Sequence, residues 1–151
     1  LEVFNSLSAA HLQFLAALPP WMKVEANGET WVVVHAGLEP GKPLEEQDPN
    51  KICHIRYVDP RTLKSKGLTE DFQKPEETVY WTDLYDLPYN VIHGHHVHSF
   101  EVPVLITGPK GQKIIAVDTG CGYGGCLSAY VLETGGVFQV KAKREYARAH
   151  R

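Results

Sequence analysis

The spacing of apolar residues near the start of the chain predicts a short helix. Ser8 can cap this helix, which is expected to run to about Leu18 and to end at Pro19-Pro20. Its apolar and aromatic positions are spaced so that they form one buried face: Leu7, His11, Leu12, Phe14, Leu15 and Leu18.

A β-hairpin is predicted next. Residues 22–24 and 30–34 flank Asn27-Gly28, a pair that supplies the positive φ angles of a tight hairpin turn. The second arm contains the continuous run from Trp31 to Val34, which is typical of a strand covered on both faces. This strand ends at His35-Ala36-Gly37, so a histidine stands where the chain leaves the sheet.

The middle of the chain carries weaker signals, and its last third is rich in strands. Residues 44–47 can open a short helix, residues 52–58 fit a helix end or a strand, and the polar residues 60–77 predict a long surface loop. The basic tail, residues 141–151, can form a terminal helix with a solvated face. The strands of the last third are predicted at 91–92, 102–107, 113–118, 127–133 and 137–140.

Composition narrows the class of protein. The 151 residues are 43% apolar and 22% charged, which suits one globular core, and no apolar run approaches the roughly 20 residues that a membrane-spanning helix needs. A net charge of −3 argues against a protein that wraps nucleic acid. Three cysteines make neither a paired disulfide set nor a zinc knuckle, so reduced thiols and a cytoplasmic location are expected.

Candidate metal ligands follow two of the predicted strands. His35 comes directly after one apolar strand, and four of the eight histidines lie between positions 93 and 98, after another. Neutral imidazoles bind divalent transition metals, and ligands in α/β sheets bind beyond the carboxyl ends of strands. From local spacing alone, His35 fits a hydrogen-bonded residue at the core edge as well as a ligand. The choice among the clustered histidines also stays open: His93, His95, His96 and His98.

Two further motifs bear on chemistry. Arg56 lies between apolar neighbours, and its planar guanidinium suits either a phosphate group or an ion pair with a nearby carboxylate. A strand ending at Asp118 runs into a glycine-rich loop, residues 119–125, where the backbone must turn tightly or approach a ligand closely. The loop lacks the Gly-Lys-Ser/Thr sequence of a nucleotide-binding P-loop.

Four segments, in this order, resemble the calcineurin-like metallophosphoesterases. They are residues 33–40 (VVHAGLEP), Ile55-Arg56, Gly94-His95 and residues 117–125 (VDTGCGYGG). Within that superfamily the chain is most similar to bacterial phosphoprotein phosphatases and symmetrical diadenosine tetraphosphatase-like enzymes. The resemblance implies an α/β fold, namely the C-terminal half of an αββα sandwich with a β-rich mixed sheet. The N-terminal signatures GDxHG, GDxxDRG and GNH are absent, so residues 1–151 are expected to be one partial domain without its N-terminal metal-binding half.

The resemblance also implies a function. His35 and His95 would be the histidine ligands of the second of two divalent ions (manganese, iron, zinc or cobalt), and Arg56 would be the catalytic group that holds phosphate oxygens. Tyr123 and His98 would lie near the substrate. The reaction would be hydrolysis of a phosphoester or phosphoanhydride by a metal-bound hydroxide. Its substrate would be a phosphoprotein, another phosphomonoester or a dinucleoside polyphosphate.

One departure and one absence limit this expectation. Where relatives commonly carry arginine after the glycine pair, this chain has Cys126. Because two histidines and one arginine do not complete a dinuclear site, the chain is expected to be inactive by itself. Two alternatives remain: a non-catalytic module that binds a metal or a partner, and one half of a split phosphatase.

Overall fold

The computed structural model describes residues 6–148. The helices and strands whose bounds lie within these residues are two short helices and ten strands, with 3-10 turns at Leu44–Glu46, Trp81–Leu84 and Cys121–Tyr123. The helices and strands are α1 (Ala9–Ala16), β1 (Trp21–Ala26), β2 (Glu29–Val34), α2 (Pro49–Ile52), β3 (Tyr57–Val58), β4 (Ser65–Lys66), β5 (Val79–Tyr80), β6 (Asn90–His93), β7 (Val104–Thr107), β8 (Lys113–Ala116), β9 (Cys126–Tyr130) and β10 (Val137–Lys141).

The central sheet is mixed and has the strand order β1-β2-β6-β8-β7. Its three inner strands are parallel, with Val32 opposite Val91 and Val91 opposite Ile114. Both edge strands run antiparallel to their neighbours. The β1–β2 turn has Asn27 at φ 51° and Gly28 at φ 75°, so the predicted hairpin is confirmed. Because the inner strands are parallel, their carboxyl ends meet at one edge of the sheet.

The main core lies on one face of this sheet. Val32, Val91 and Ile114 are fully buried there, and Trp81 and Tyr85 pack over them from the segment that precedes β6. Burial of each such side chain contributes roughly 1.5–3 kcal/mol. In the sequence, the strands of a three-stranded sheet with the order β4-β3-β5 come between α2 and this aromatic segment. The core therefore keeps the edge of the sheet rigid, and the predicted ligands lie at this edge.

The second face of the sheet is less covered. The hairpin of β9 and β10 brings Tyr130 against Trp31, and Ile115 is buried beside them. Towards the carboxyl ends of the strands, Val33 and Ile92 remain partly exposed on this face. An open cleft results there.

Three predictions about local structure need correction. Helix α1 has no buried residue, and Phe14, Leu15 and Leu18 are more than half exposed, so the predicted buried face is wrong. The predicted surface loop at 60–77 contains β4, which pairs with β3. The predicted terminal helix does not form in the described part of the tail, because residues 142–148 are irregular and bond to a loop; residues 149–151 lie outside the described residues.

In the described part of the chain, no helix is both long and apolar enough to cross a membrane.

Candidate metal and phosphate site

Two histidines meet where β2 and β6 end. His35 follows β2, and His95 follows β6 after a single glycine. The Gly94 N–H donates a hydrogen bond to the carbonyl oxygen of His35 (2.8 Å), which extends the pairing of the two strands past their ends. The two imidazole rings lie 5.0 Å apart, centroid to centroid, and His35 Nε2 is 3.2 Å from His95 Nδ1.

The turn that aims His95 lies at His95 itself. Its φ angle is 67°, in the left-handed region that non-glycine residues rarely occupy, although histidine enters it more readily than most. Gly94, which precedes it, is not in this region. A Cβ on Gly94 would lie 3.5 Å from that of Asp118, which is an ordinary van der Waals contact, so the available space does not require glycine there.

The histidine pair fits two ligands of one metal ion. With bonds of about 2.0–2.1 Å, two nitrogen ligands of a tetrahedral ion lie about 3.3–3.4 Å apart, close to the separation observed here. Burial, together with the positive charge of Arg56, lowers the pKa of His95 to about 4, so its ring is neutral at pH 7 and keeps a free lone pair. Its Nε2 atom is buried without a hydrogen-bond partner in the described part of the chain.

The pair has no third protein ligand among residues 6–148. No group of three or more histidine, cysteine, aspartate or glutamate side chains is arranged there to hold a metal ion. The ring of His54 lies 6.0 Å from that of His95. The nitrogen donors suit a borderline divalent ion, but they supply only half of a four-coordinate shell.

Arg56 lies beside the histidine pair. It follows α2, and its carbonyl oxygen accepts a hydrogen bond from the Trp81 N–H (3.0 Å), which ties this stretch of backbone to the buried aromatic segment. Its charge contributes, after burial, to the lowered pKa of both His95 and His96. Among the described residues, Arg56 forms no ion pair with a carboxylate, so the alternative structural role proposed for it is not observed. Its guanidinium is therefore available to an anion.

The other clustered histidines pack among aromatic side chains. His93 is 1% exposed, packs against Trp81, and has a pKa lowered to about 4, mainly by burial. His96 and His98 stack edge to face at 4.6 Å, and both contact the ring of Tyr80. His98, predicted near the substrate, thus belongs to an aromatic cluster next to Arg56, apart from His35.

An open cleft of about 360 Å³ extends from the histidine pair across the second face of the sheet. His35, His95, Val33 and Ile92 line it. Further lining residues come from the segment after β8 and from β9: Asp118, Thr119, Cys121, Cys126, Leu127 and Ser128. This mixture of apolar and polar lining is usual for a small-molecule site.

Tyr123 lies on the glycine-rich loop but outside the residues that line the cleft. It is part of a 3-10 turn flanked by Gly120 and Gly124, both in the left-handed region, and its side chain is 41% exposed. The Asp118 carboxylate accepts a hydrogen bond from the Gly120 N–H (2.9 Å), which holds the start of the loop. The structure therefore brings together His35, His95 and Arg56, and it places Tyr123 at the rim.

Sequence reasoning missed several neighbours of the site. His54 stands two positions before Arg56, and this spacing was the one signal that could have identified it. Tyr57 and Tyr80 are paired across β3 and β5 and form the aromatic surroundings of His96 and His98. Nothing in the local sequence indicated that pairing, because the two strands are two residues long and twenty residues apart.

Comparison with known proteins places these features in context. No protein-family model matches the chain. Over 122 residues it is 28% identical to the symmetrical bis(5'-nucleosyl)-tetraphosphatase of Aliivibrio fischeri (strain MJ11), covering 78% of this chain and 41% of that protein. The crystal structure of a "putative diadenosine tetraphosphatase" superposes with a TM-score of 0.70 at 26% identity, over 93% of this chain and 59% of the other.

The chain thus spans about two fifths of the length of the curated relative that it matches. The predicted fold class is confirmed, since a mixed α/β structure with a mixed sheet and few helices matches a diadenosine tetraphosphatase fold. Sequence and fold confirm the predicted resemblance, and they fit the C-terminal portion of a metallophosphoesterase of the diadenosine tetraphosphatase group.

Proposed function

We propose that this chain is part of a metal-dependent phosphoesterase that hydrolyses dinucleoside polyphosphates, or phosphomonoesters including phosphoproteins. The observation that carries the proposal is the approach of His35 Nε2 to His95 Nδ1 (3.2 Å) at the ends of two parallel strands, beside the unpaired guanidinium of Arg56. The similarity to the tetraphosphatases supports the choice of substrate class.

Each residue has a distinct part in this proposal. His35 and His95 would hold one of two divalent ions (manganese, iron, zinc or cobalt), which supply a water molecule of lowered pKa and neutralise phosphoryl charge. Arg56 would bind two phosphoryl oxygens through its planar fork and orient the phosphorus toward the histidines. Tyr123 and His98 would contact the substrate farther out, from the glycine-rich loop and the aromatic cluster.

The number of ligands determines what the chain can do alone. Two imidazoles fill half of a four-coordinate shell, and the described residues add no third ligand. We therefore expect the isolated chain to bind a transition metal weakly and to leave phosphoesters intact. The other ligands would come from further residues of a longer protein.

Titration calorimetry with Mn²⁺ and Zn²⁺ tests the metal site. The wild-type chain should bind one ion, and His35→Gln and His95→Gln should each weaken binding at least about tenfold, since each removes one of two ligands. His11→Gln is the matched control, because glutamine preserves the capping box that His11 forms with Ser8. Equal binding by all four proteins would exclude the site.

Assays on the product of the complete reading frame test the reaction. We expect metal-dependent hydrolysis of diadenosine tetraphosphate, p-nitrophenyl phosphate or a phosphopeptide, and the ratio of kcat/KM values would identify the substrate class. Arg56→Ala should lower kcat/KM about 10²–10³-fold, because one aimed donor to a charged transition state contributes that much. Activity without added or bound metal, or an active Arg56→Ala variant, would contradict the proposal.

A second candidate function rests on the same incomplete ligand set and on exposed apolar residues of the β9–β10 hairpin. Leu127, Phe138 and Val140 share one face of the hairpin and are 65–70% exposed. Such a face suits a non-catalytic metal- or partner-binding module, or one half of a split phosphatase. Hydrolysis that appears only when a second chain co-purifies would identify the split enzyme, and metal binding without any hydrolysis would identify the module.

A further inference from the structure

A basic segment follows β10 and lies on the glycine-rich loop. We name residues 142–148 the C-terminal strap; it carries Lys143, Arg144 and Arg148 against one carboxylate, Glu145. The chain as a whole has a net charge of −3, so this concentration of positive charge opposes the overall balance. All four charged side chains are exposed.

Backbone hydrogen bonds hold the strap in place. The Ala142 N–H donates to the carbonyl oxygen of Gly125 (2.9 Å), and the Tyr146 and Ala147 N–H groups both donate to that of Gly122 (3.0 Å each). The loop residues on either side of these acceptors, Cys121 and Cys126, line the cleft. The strap is therefore bonded to the loop that contributes to the lining of the cleft, and the histidine pair lines the same cleft.

The described residues do not neutralise the cations of the strap. In residues 6–148, no carboxylate forms an ion pair with Lys143, Arg144 or Arg148. The Arg144 guanidinium lies over the ring of Tyr146, 5.0 Å from its centroid, which orients the group and leaves its N–H donors free. A hollow of about 330 Å³ adjoins these residues and is lined by residues 145–148.

The charge of the proposed substrate indicates what the strap could bind. A chain of several phosphates carries several negative charges, whereas among residues 6–148 Arg56 is the permanent cation that acts on His95. Charge-assisted hydrogen bonds to phosphate contribute about 1.5–3 kcal/mol each, so a second cationic group along the cleft would favour long phosphate chains over single phosphates.

We propose that the C-terminal strap is a polyphosphate-binding element. Lys143, Arg144 and Arg148 bind the phosphates farthest from the histidine pair, and the strap thereby determines the preference for a polyphosphate chain over a phosphomonoester. This inference rests on the proposed function, because it requires that one phosphate of the same chain binds at Arg56. It adds a binding element from a different part of the chain.

Calorimetry with inorganic tripolyphosphate and with inorganic phosphate, at low ionic strength and without metal, tests the inference. The variant Lys143→Gln/Arg144→Gln/Arg148→Gln should bind tripolyphosphate at least about tenfold more weakly than wild type, with its phosphate affinity unchanged within about twofold. The control Lys64→Gln/Lys66→Gln/Lys110→Gln removes equal charge elsewhere and should retain tripolyphosphate binding. Circular dichroism and Tm values establish that the variants fold.

Three results would overturn the inference: equal loss in both triple variants, no loss in the strap variant, or no tripolyphosphate binding by the wild-type chain. These outcomes are independent of hydrolysis. If the strap variant loses tripolyphosphate binding but the complete protein hydrolyses nothing, the binding element stands and the proposed function fails. If the complete protein catalyses hydrolysis and the strap variant binds tripolyphosphate normally, the proposed function stands and the binding element fails. Arg144→Lys/Arg148→Lys should retain most of the affinity of the wild-type chain, because it keeps both positive charges of the strap.

Discussion

His95 combines an unusual backbone conformation with a role as a candidate metal ligand. Its left-handed backbone costs about 1–3 kcal/mol, and its side chain has a buried nitrogen without a hydrogen-bond partner in the described part of the chain. Backbone bonds on either side hold this conformation: the Gly94 N–H bonds to His35, and the His96 N–H bonds to Gly94 (2.8 Å each). Strain of this kind is retained where the side chain must be aimed, which supports the ligand role proposed for it.

A second residue, Glu39, determines how the loop after His35 is held. Its side chain is 6% exposed and accepts hydrogen bonds from Lys42, Lys51 and the Asp48 N–H, all at 3.1 Å. Burial by itself would raise the pKa of this carboxyl, but the three hydrogen bonds outweigh burial and lower the pKa below its ordinary value of 4.5. Glu39 thus joins the loop after His35 to helix α2, which precedes Arg56 in the sequence.

We predict that Glu39 makes stability depend on acidic pH. Because its folded pKa is lowered, its contribution is present above the unfolded value of about 4.5 and is lost as pH falls through the folded pKa. Urea unfolding should show Glu39→Gln less stable than wild type by about 1–3 kcal/mol at pH 7, with the difference shrinking below pH 4. Glu45→Gln, at a 69% exposed position, is the control and should change little at either pH. A constant difference across this range would show that the charge of Glu39 is not what stabilises the loop.

At the scale of elements, parallel pairing creates the site. β2, β6 and β8 all end at one edge of the sheet. The side chains that follow them therefore converge although they are far apart in the sequence. His35 and His95 are sixty residues apart and meet only through this pairing. The glycine-rich loop after β8 then closes the cleft from the same edge.

Two glycines of that loop give a matched pair of substitutions. A Cβ on Gly125 would overlap the carbonyl oxygen of Thr119 and lie 2.9 Å from that of Gly120, whereas a Cβ on Gly122 would meet nothing within 4 Å. Gly125→Ala should therefore destabilise the chain by about 1–3 kcal/mol, since rigid backbone must move to admit the methyl group. Gly122→Ala should stay within about 0.5 kcal/mol of wild type. Chemical denaturation measures both, and equal stabilities would show that the loop does not pack as described.

On the scale of the whole molecule, one face of the central sheet is a complete core and the other is partly open. The first face buries Val32, Val91 and Ile114 beneath aromatic residues, and it supplies the rigidity that a functional edge requires. The second face carries the cleft, which is lined by the histidine pair and by part of the glycine-rich loop. Binding at the edge of this cleft should therefore stabilise the entire folded chain.

We predict that metal binding raises the Tm of the wild-type chain. A ligand at a hundred times its Kd stabilises the folded state by about 2.7 kcal/mol, which corresponds to a rise of about 5–11 °C for a domain of this size. Thermal melts with and without Mn²⁺ or Zn²⁺ measure the effect, and a chelator should reverse it. His35→Gln and His95→Gln should show no rise, while His11→Gln should behave as wild type. A rise of the same size in all four proteins would point to binding outside the pair.

Local sequence was enough to predict the elements that depend on nearest neighbours. The Asn27-Gly28 hairpin, the cap at Ser8 and the five strands of the last third follow from turn geometry and spacing along the chain. The order of the motifs also singled out His35, His95 and Arg56 as one group. These features depend on residues close together in the sequence or on the order of motifs along the chain. They can therefore be recognised without knowledge of the fold.

Tertiary structure alone decided the rest. Whether the apolar side of α1 is covered depends on what packs against it, and in the described residues it stays exposed although its spacing predicts burial. The left-handed turn at His95, the neighbouring His54 and Tyr80, and the fastening of residues 142–148 to the glycine-rich loop all join segments far apart in sequence. Their positions follow from which strands pair side by side and from which face of the sheet is covered, and neither property is encoded in the spacing of adjacent residues.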